Sequence, residues 1–259
     1  MTGIEATDLD VLLGLLDLEQ TEEDVFRGAH PPQTGLRTFG GQLVAQALVA
    51  AGRTTGDRPI HALNAHFIRG GNVEEPIEYR VARHRDGRDF ANRMVTAYQG
   101  DEELFVMLAA YQKWGKGLEH AVTVPEVPYP EALPPIGDHL EGYEEHLPGF
   151  VNALKPIDMR YANDPAWILK GTGEKLNHNR VWMRTDGELP DDPLLHVAAN
   201  HSIWFHRPPR FDQWHLYATE SPVAAGSRGL ATGRYFNLDG ELVATVVQEG
   251  IIKHFPSRR

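Results

Sequence analysis

Side chains able to do chemistry are sparse in this sequence and fall in few places. Gln248 ends the last strand-like run, 242–248. An amide there either holds a water through its carbonyl oxygen or satisfies backbone groups in a core. Gly40-Gly41 open a run over 42–52 in which nearly every residue is apolar or small. If that run is a helix, two residues without side chains at its start let a carbonyl oxygen reach the exposed N–H groups and the positive end of the helix dipole. Close helix–sheet packing is the plainer use. Asp191 and Asp192 stand between Pro190 and Pro193, as a carboxylate pair or as a solvated helix start. His201 and His206 are five positions apart, so a strand sends them to opposite faces and they make a poor metal pair. Ser221 and Ser227 lack the Gly-x-Ser-x-Gly turn of a serine nucleophile. Gly171-Thr172-Gly173-Glu174-Lys175 lacks the ending of a phosphate-binding loop. Arg85, Arg88, Arg207, Arg210 and Arg228 suit either phosphate groups or surface ion pairs. There is no cysteine, which excludes disulfides, thiol catalysis and Cys-metal sites.

The elements that must position these groups can be read from pattern. The chain has 259 residues, enough for one large domain or two of roughly 130. Hydrophobic residues make up 41%, which supports a sizeable core and excludes global disorder. With 25 Lys+Arg against 36 Asp+Glu the net charge is −11, the wrong balance for a nucleic-acid binder. Residues 1–7 lack the basic and apolar regions of a signal peptide. No run reaches the roughly 18 apolar residues of a membrane span. A soluble cytoplasmic protein is expected.

A first helix is expected over 7–18, capped by Thr7 with Asp10, with Leu9, Leu12, Leu13 and Leu16 on one face. The second is the apolar run over 40–51, ended by Gly52. Strand patterns follow at 61–69, 77–84, 89–99 and 104–114, with turns at Gly70-Gly71-Asn72, Asp86-Gly87 and Gly100-Asp101. Pro125, Pro128, Pro130, Pro134 and Pro135 make 115–137 a stiff linker, and 138–155 reads as polar with a short helix. Strand signals return at 156–161, 180–185, 201–207, 213–220, 226–236 and 242–248, with Asp239-Gly240 as a hairpin turn.

The halves match in order. Phe67-Ile68-Arg69-Gly70 pairs with Phe205-His206-Arg207-Pro208, and Tyr111-Gln112 with Val247-Gln248. This implies duplication of an α+β unit, an antiparallel sheet wrapped on a buried helix: residues 1–114, a linker over 115–155, and residues 156–259. Gln112, Asn64 and Gly41 would mark a degenerate counterpart site. The second copy lacks a helix to match 40–51. Only about six helix-compatible residues follow Pro193, less than two turns. Ile203, Phe205, Leu216, Leu230 and Phe236 would lose cover, at roughly 1.5–3 kcal/mol each. Either other parts of the chain cover that sheet, or residues are missing near 197–201. The size of the cost favours the second, and a gap would show as a Cα spacing above about 3.8 Å.

The run Thr38-Phe39-Gly40-Gly41-Gln42-Leu43-Val44-Ala45-Gln46-Ala47-Leu48 resembles the bacterial acyl-CoA thioesterase II family. So do Phe67-Ile68-Arg69, Arg85-Asp86-Gly87-Arg88, Asn179-Arg180-Val181-Trp182-Met183-Arg184, His201-Ser202-Ile203-Trp204-Phe205-His206-Arg207-Pro208, Glu220-Ser221, Ser227-Arg228-Gly229 and Val247-Gln248-Glu249-Gly250. The likeness spans nearly the whole chain in order. It implies a double hotdog fold and hydrolysis of fatty acyl-CoA to free acid and CoA, with neither metal nor cofactor and usually as a homo-oligomer. It implies that Gln248 is catalytic, helping to orient and activate a water. Gly40, Gly41 and Arg228 are expected to bind substrate. The family's catalytic Thr falls on Ala198, and its Asp falls on the missing helix. A non-catalytic acyl-CoA-binding or interaction protein on the same scaffold is therefore the alternative. A dehydratase is weaker, because no His–acid pair is placed for it.

Overall fold

The computed structural model describes residues 7–31, 38–140, 156–165, 176–192 and 202–252. Helix α1, Asp8–Leu16, starts on the expected reciprocal cap: Asp10 N–H donates to Thr7 Oγ1, and Thr7 N–H donates to the Asp10 carboxylate. Leu9 and Leu16 are its buried residues. Helix α2, Gly40–Gly52, is buried on nearly every side from Leu43 onward, as its apolar, alanine-rich sequence requires. Gly52 does not stop it by a left-handed turn. It is helical, and the cap, Arg53, is itself right-handed α. The end is held instead by Arg93, whose guanidinium donates to the Thr54 carbonyl at 2.8 Å and the Thr54 hydroxyl at 2.7 Å.

The strands are β1 (Glu19–Glu22), β2 (Val25–Gly28), β3 (Ile60–Phe67), β4 (Ile77–Asp86), β5 (Phe90–Gln99) and β6 (Glu102–Gln112). The second half supplies β7 (Ile157–Tyr161), β8 (His178–Thr185), β9 (Ser202–Phe205), β10 (His215–Ala225), β11 (Arg228–Asn237) and β12 (Leu242–Ile251). All join one 12-stranded antiparallel sheet in the order β1-β2-β4-β5-β6-β3-β9-β12-β11-β10-β8-β7. The seam is β3 against β9, through Ala62 with Trp204, Leu63 with Ile203 and Asn64 with Ser202. Read outward from the seam, both halves run in the same order, as duplication demands.

The inner face of the sheet wraps α2. Tyr79, Val95, Phe105, Met107 and Tyr111 meet the helix in one core that crosses the seam to Ile203, Phe205, Tyr235 and Val246. Burying each large apolar side chain there stabilises by roughly 1.5–3 kcal/mol. The proline-rich stretch is more than a spacer. It carries a 3-10 turn, Pro130–Ala132, and helix α3, Ile136–Leu140. It also lies on the outer face of the second half, where Val124, Val127 and Leu133 cover Trp182, Trp214, Leu216 and Phe236. The Pro128 carbonyl accepts from Trp182 Nε1 at 2.9 Å. Leu216 and Phe236 thus find cover without a second helix. Met183, Phe211 and Tyr217 pack against the shared inner core. Residues 193–201, where the helix and the chain gap were expected, lie outside the described residues. So do most of 138–155 and the loop over 171–175.

Candidate active site

The start of α2 is built to accept something. Phe39 precedes it with extended backbone and no side-chain cap, and its carbonyl accepts from the N–H groups of Gln42 and Leu43. The N–H groups of Gly40 and Gly41 therefore have no carbonyl within the helix, and the dipole adds partial positive charge there. A Cβ on Gly40 would stand 2.9 Å from the Phe67 ring, and one on Gly41 2.4 Å from the Phe39 ring. The two glycines seat two aromatic rings on the first turn. Phe67 is anchored by Phe105, ring centroid to ring centroid 5.3 Å. Phe39 is 77% exposed.

Both rings line a cleft of about 540 Å³, together with Gly40, Gly41, Leu43 and Val44 of α2 and with Ile68 and Arg69 beyond β3. Gln248 lines the same cleft from β12. It pairs with Ala231 and lies on the inner face with Val246, in an exposed position. The site therefore joins the first half's helix to the second half's last strand. The helix is fixed from behind by Gln46, fully buried, which donates to the carbonyls of Leu15 and Ala29 and accepts from the Tyr79 hydroxyl at 2.7 Å.

Sequence reasoning missed two polar members of the cleft. Thr38 lines it, and its hydroxyl oxygen is buried without a hydrogen-bond partner among the described residues. Arg69 lines it too, paired with Glu102. Both stand in runs that carry the family resemblance, Thr38 opening 38–48 and Arg69 ending Phe67-Ile68-Arg69, but neither residue type marked a role there. No carboxylate or imidazole lines the cleft among the described residues.

Other candidates fall elsewhere. Arg228 does not line the cleft; it donates to Glu249 at 3.1 Å on the face opposite Gln248. The counterpart match is out of register: Phe67 pairs with Phe105 as Phe205 pairs with Ala244, which sets Gln248 against Ala109 rather than Gln112. Gln112 shares the outer face with Ala110, and the inner side chain beside it is Tyr111, fully buried, its hydroxyl without a hydrogen-bond partner among the described residues and its pKa pushed up by burial. Asn64 donates to the Ser202 hydroxyl at 2.6 Å on the outer face. Asp191 and Asp192 are exposed. Arg207 pairs with Glu241 and Arg210 with Asp212. His206 bonds Thr245, Ser221 donates to the Leu230 carbonyl, and His201 lies outside the described residues. Among the described residues no group of three His, Asp or Glu side chains could hold a metal.

Residues 28–112 match the profile of the acyl-CoA thioesterase N-terminal domain, and residues 150–251 that of acyl-CoA thioesterase. The chain is 35% identical to acyl-CoA thioesterase 2 of Haemophilus influenzae, covering 95% of this chain and 98% of the relative. It is 34% identical to acyl-coenzyme A thioesterase 8 of Rattus norvegicus, covering 95% and 90%. The Haemophilus alignment runs over 283 positions, more than the 259 residues here, so the relative carries residues opposite gaps in this chain. Among solved structures, the acyl-CoA thioesterase II TesB2 of Mycobacterium marinum superposes with a TM-score of 0.75 at 34% identity, over 94% of this chain and 98% of that one. A hot dog fold protein of Alicyclobacillus acidocaldarius superposes with a TM-score of 0.74 at 19% identity, over 97% and 100%. The twelve-stranded sheet with its wrapped helix is a double hotdog, and the chain belongs to the acyl-CoA thioesterase family.

Proposed function

We propose that the protein hydrolyses fatty acyl-CoA thioesters at the cleft between the start of α2 and Gln248. One observation carries this: the free helix N–H groups and an exposed inner-face amide, from opposite halves of the chain, meet in a single cleft. The thioester carbonyl oxygen points at the N–H groups of Gly40 and Gly41, which stabilise the negative charge that develops on it. Gln248 holds a water through its side-chain carbonyl. The water oxygen bonds to the acyl carbon and gives up a proton to the surrounding solvent, the tetrahedral intermediate collapses, and the C–S bond breaks as the departing sulfur takes up a proton, releasing the acid and the CoA thiol. The unpartnered Thr38 hydroxyl offers one further hydrogen bond to the bound carbonyl or water. Phe39, Phe67 and Ile68 give the acyl chain an apolar wall, and Arg69, paired with Glu102, offers guanidinium N–H donors at the cleft. The cysteine-free composition suits a cytoplasmic setting in fatty-acid metabolism, and we take the working form to be a homo-oligomer.

The test is release of CoA from acyl-CoA of graded chain length. Wild-type protein should turn over at least one chain length, and Gln248→Ala should lower kcat by about a hundredfold with KM little changed. Failure to hydrolyse any chain length removes the catalytic reading. A second reading, acyl-CoA binding without turnover, draws on the lack of a carboxylate or imidazole among the described cleft residues. Tight binding with no CoA release would establish it.

A further inference from the structure

Residues 68–76 join β3 to β4, and the first three of them, Ile68, Arg69 and Gly70, line the cleft. No strand ladder holds this segment; it is pinned at separate points. The Leu104 carbonyl accepts from the N–H groups of Ile68 and Arg69. Farther along, one side chain does the holding. Gln99, the last residue of β5 and 8% exposed, donates from Nε2 to the carbonyls of Asn72 and Glu75, both at 2.7 Å, and accepts from the Asn72 N–H at 2.8 Å. A buried amide is costly unless it is bonded in this way, and no apolar side chain replaces those bonds.

What the turn holds is the approach to α2. The Gly71 carbonyl accepts from the Thr38 N–H at 3.2 Å. Helix α2 has no side-chain cap, so this backbone bond fixes the chain just ahead of Gly40. Gly71 also stands between Thr38 and Gln99: a Cβ there would lie 2.6 Å from Thr38 Oγ1 and 3.1 Å from Gln99 Oε1. His30 ties the far end of the turn to the same helix, with Nε2 donating to the Glu75 carbonyl at 2.9 Å and Nδ1 accepting from Gln42 at 3.3 Å. Gln99 itself does not line the cleft.

We propose that Gln99 is a positioning residue for thioester hydrolysis: through Gly71 it sets Thr38 and the N–H groups of Gly40 and Gly41 where the carbonyl oxygen binds. This rests on the carbonyl site proposed above. Donors at a helix start act only on a group held in their line, and a displacement of about 1 Å can cost roughly a hundredfold in rate. A turn without ladder bonds has that precision only if something rigid grips it. Strand β5 is rigid in this sense, paired on one side with β4 and on the other with β6. One amide carries its geometry to the start of the helix.

Steady-state kinetics on folded variants tests this. Gln99→Met keeps the length of the side chain and removes all three bonds. It should lower kcat for acyl-CoA by roughly tenfold to a hundredfold with KM little changed. A role confined to stability would lower Tm and leave the kcat of folded protein where it was. Gly71→Ala keeps the Gln99 amide and crowds the Thr38 hydroxyl. It should lose kcat in the same way, and it carries the test alone if Gln99→Met does not fold. Because both act along one path, the double variant should lose far less than the product of the two losses. An active wild type beside a folded Gln99→Met or Gly71→Ala at wild-type kcat overturns this inference and leaves the catalytic reading standing. So do losses that multiply in the double variant. Wild-type protein that releases CoA from no chain length removes the catalytic reading, and this inference with it.

Discussion

Gln248 and the glycine pair are informative because their types are costly where they stand: an amide on the inner face of a sheet, and two glycines in the first turn of a helix. Both were legible in the sequence for that reason. The places of Thr38 and Arg69 in the cleft were not, although both stand in the runs that carry the resemblance, because a hydroxyl one residue before a helix cap and an arginine after a strand are common, and only three-dimensional convergence assigns them to the site. Arg228 shows the converse, since its parity on β11 turns it to the face opposite Gln248, where Glu249 holds it. Three outcomes follow at this scale. Thr38→Val should lower kcat by roughly tenfold, the worth of about one hydrogen bond to a reacting group. Arg69→Ala should raise KM for acyl-CoA with kcat little changed, and Arg228→Ala should move neither; steady-state kinetics on one substrate checks all three variants. With no carboxylate or imidazole among the described cleft residues, the roughly 10²–10⁴-fold that general base catalysis contributes is absent from the described site.

At the scale of elements, the site depends on α2 being held at both ends. Gln46 and Tyr79 fix its first half, and Arg93 holds the Thr54 carbonyl and hydroxyl just past its last turn while pairing with Asp86 at 2.7 Å. That guanidinium holds the Asp86 carboxyl below its usual range. Arg93→Met should cost about 3 kcal/mol, because it leaves several carbonyls and Asp86 without their donor. For a chain of this length that is a fall of roughly 6–12 °C in Tm. Tyr79→Phe should cost only about 1 kcal/mol, and thermal unfolding of both variants checks the contrast. The sequence pattern placed α1, α2 and the long strands well, because their apolar periodicities are strong. It missed β1 and β2. All four residues of β1 are exposed, so no alternation betrays the strand. Duplication offered another route, since β7 and β8 occupy the matching edge of the second half. The same duplication misled at Gln112, where the match ignored the alternation of faces along a strand.

At the scale of the whole molecule, two halves share one sheet, one core and one site. The stiff proline-rich stretch became a cover because its apolar residues meet an outer face that is itself apolar at Trp182, Leu216 and Phe236, a pairing that no local pattern announces. Stability should also fall in mild acid. His215 is 2% exposed, and burial pushes its pKa down; burial, with Arg207 beside it, does the same to His206. The unfolded chain then binds these protons more readily, starting near pH 6.5. Their contribution is full above that pH and is lost as pH falls through the lowered folded values. Tm should drop from pH 7.5 to pH 5.5, and less steeply in His215→Gln. The central claim, however, is that the thioester carbonyl sits between the start of α2 and Gln248. Isotope-edited infrared difference spectroscopy reads this directly, using an acyl-CoA analogue with a ¹³C-labelled ketone and a methylene in place of sulfur. The bound carbonyl band should move to lower frequency than in water, and Gly41→Pro, which removes one donor N–H, should reverse part of the shift. A band at its aqueous position in the wild-type complex would contradict the account.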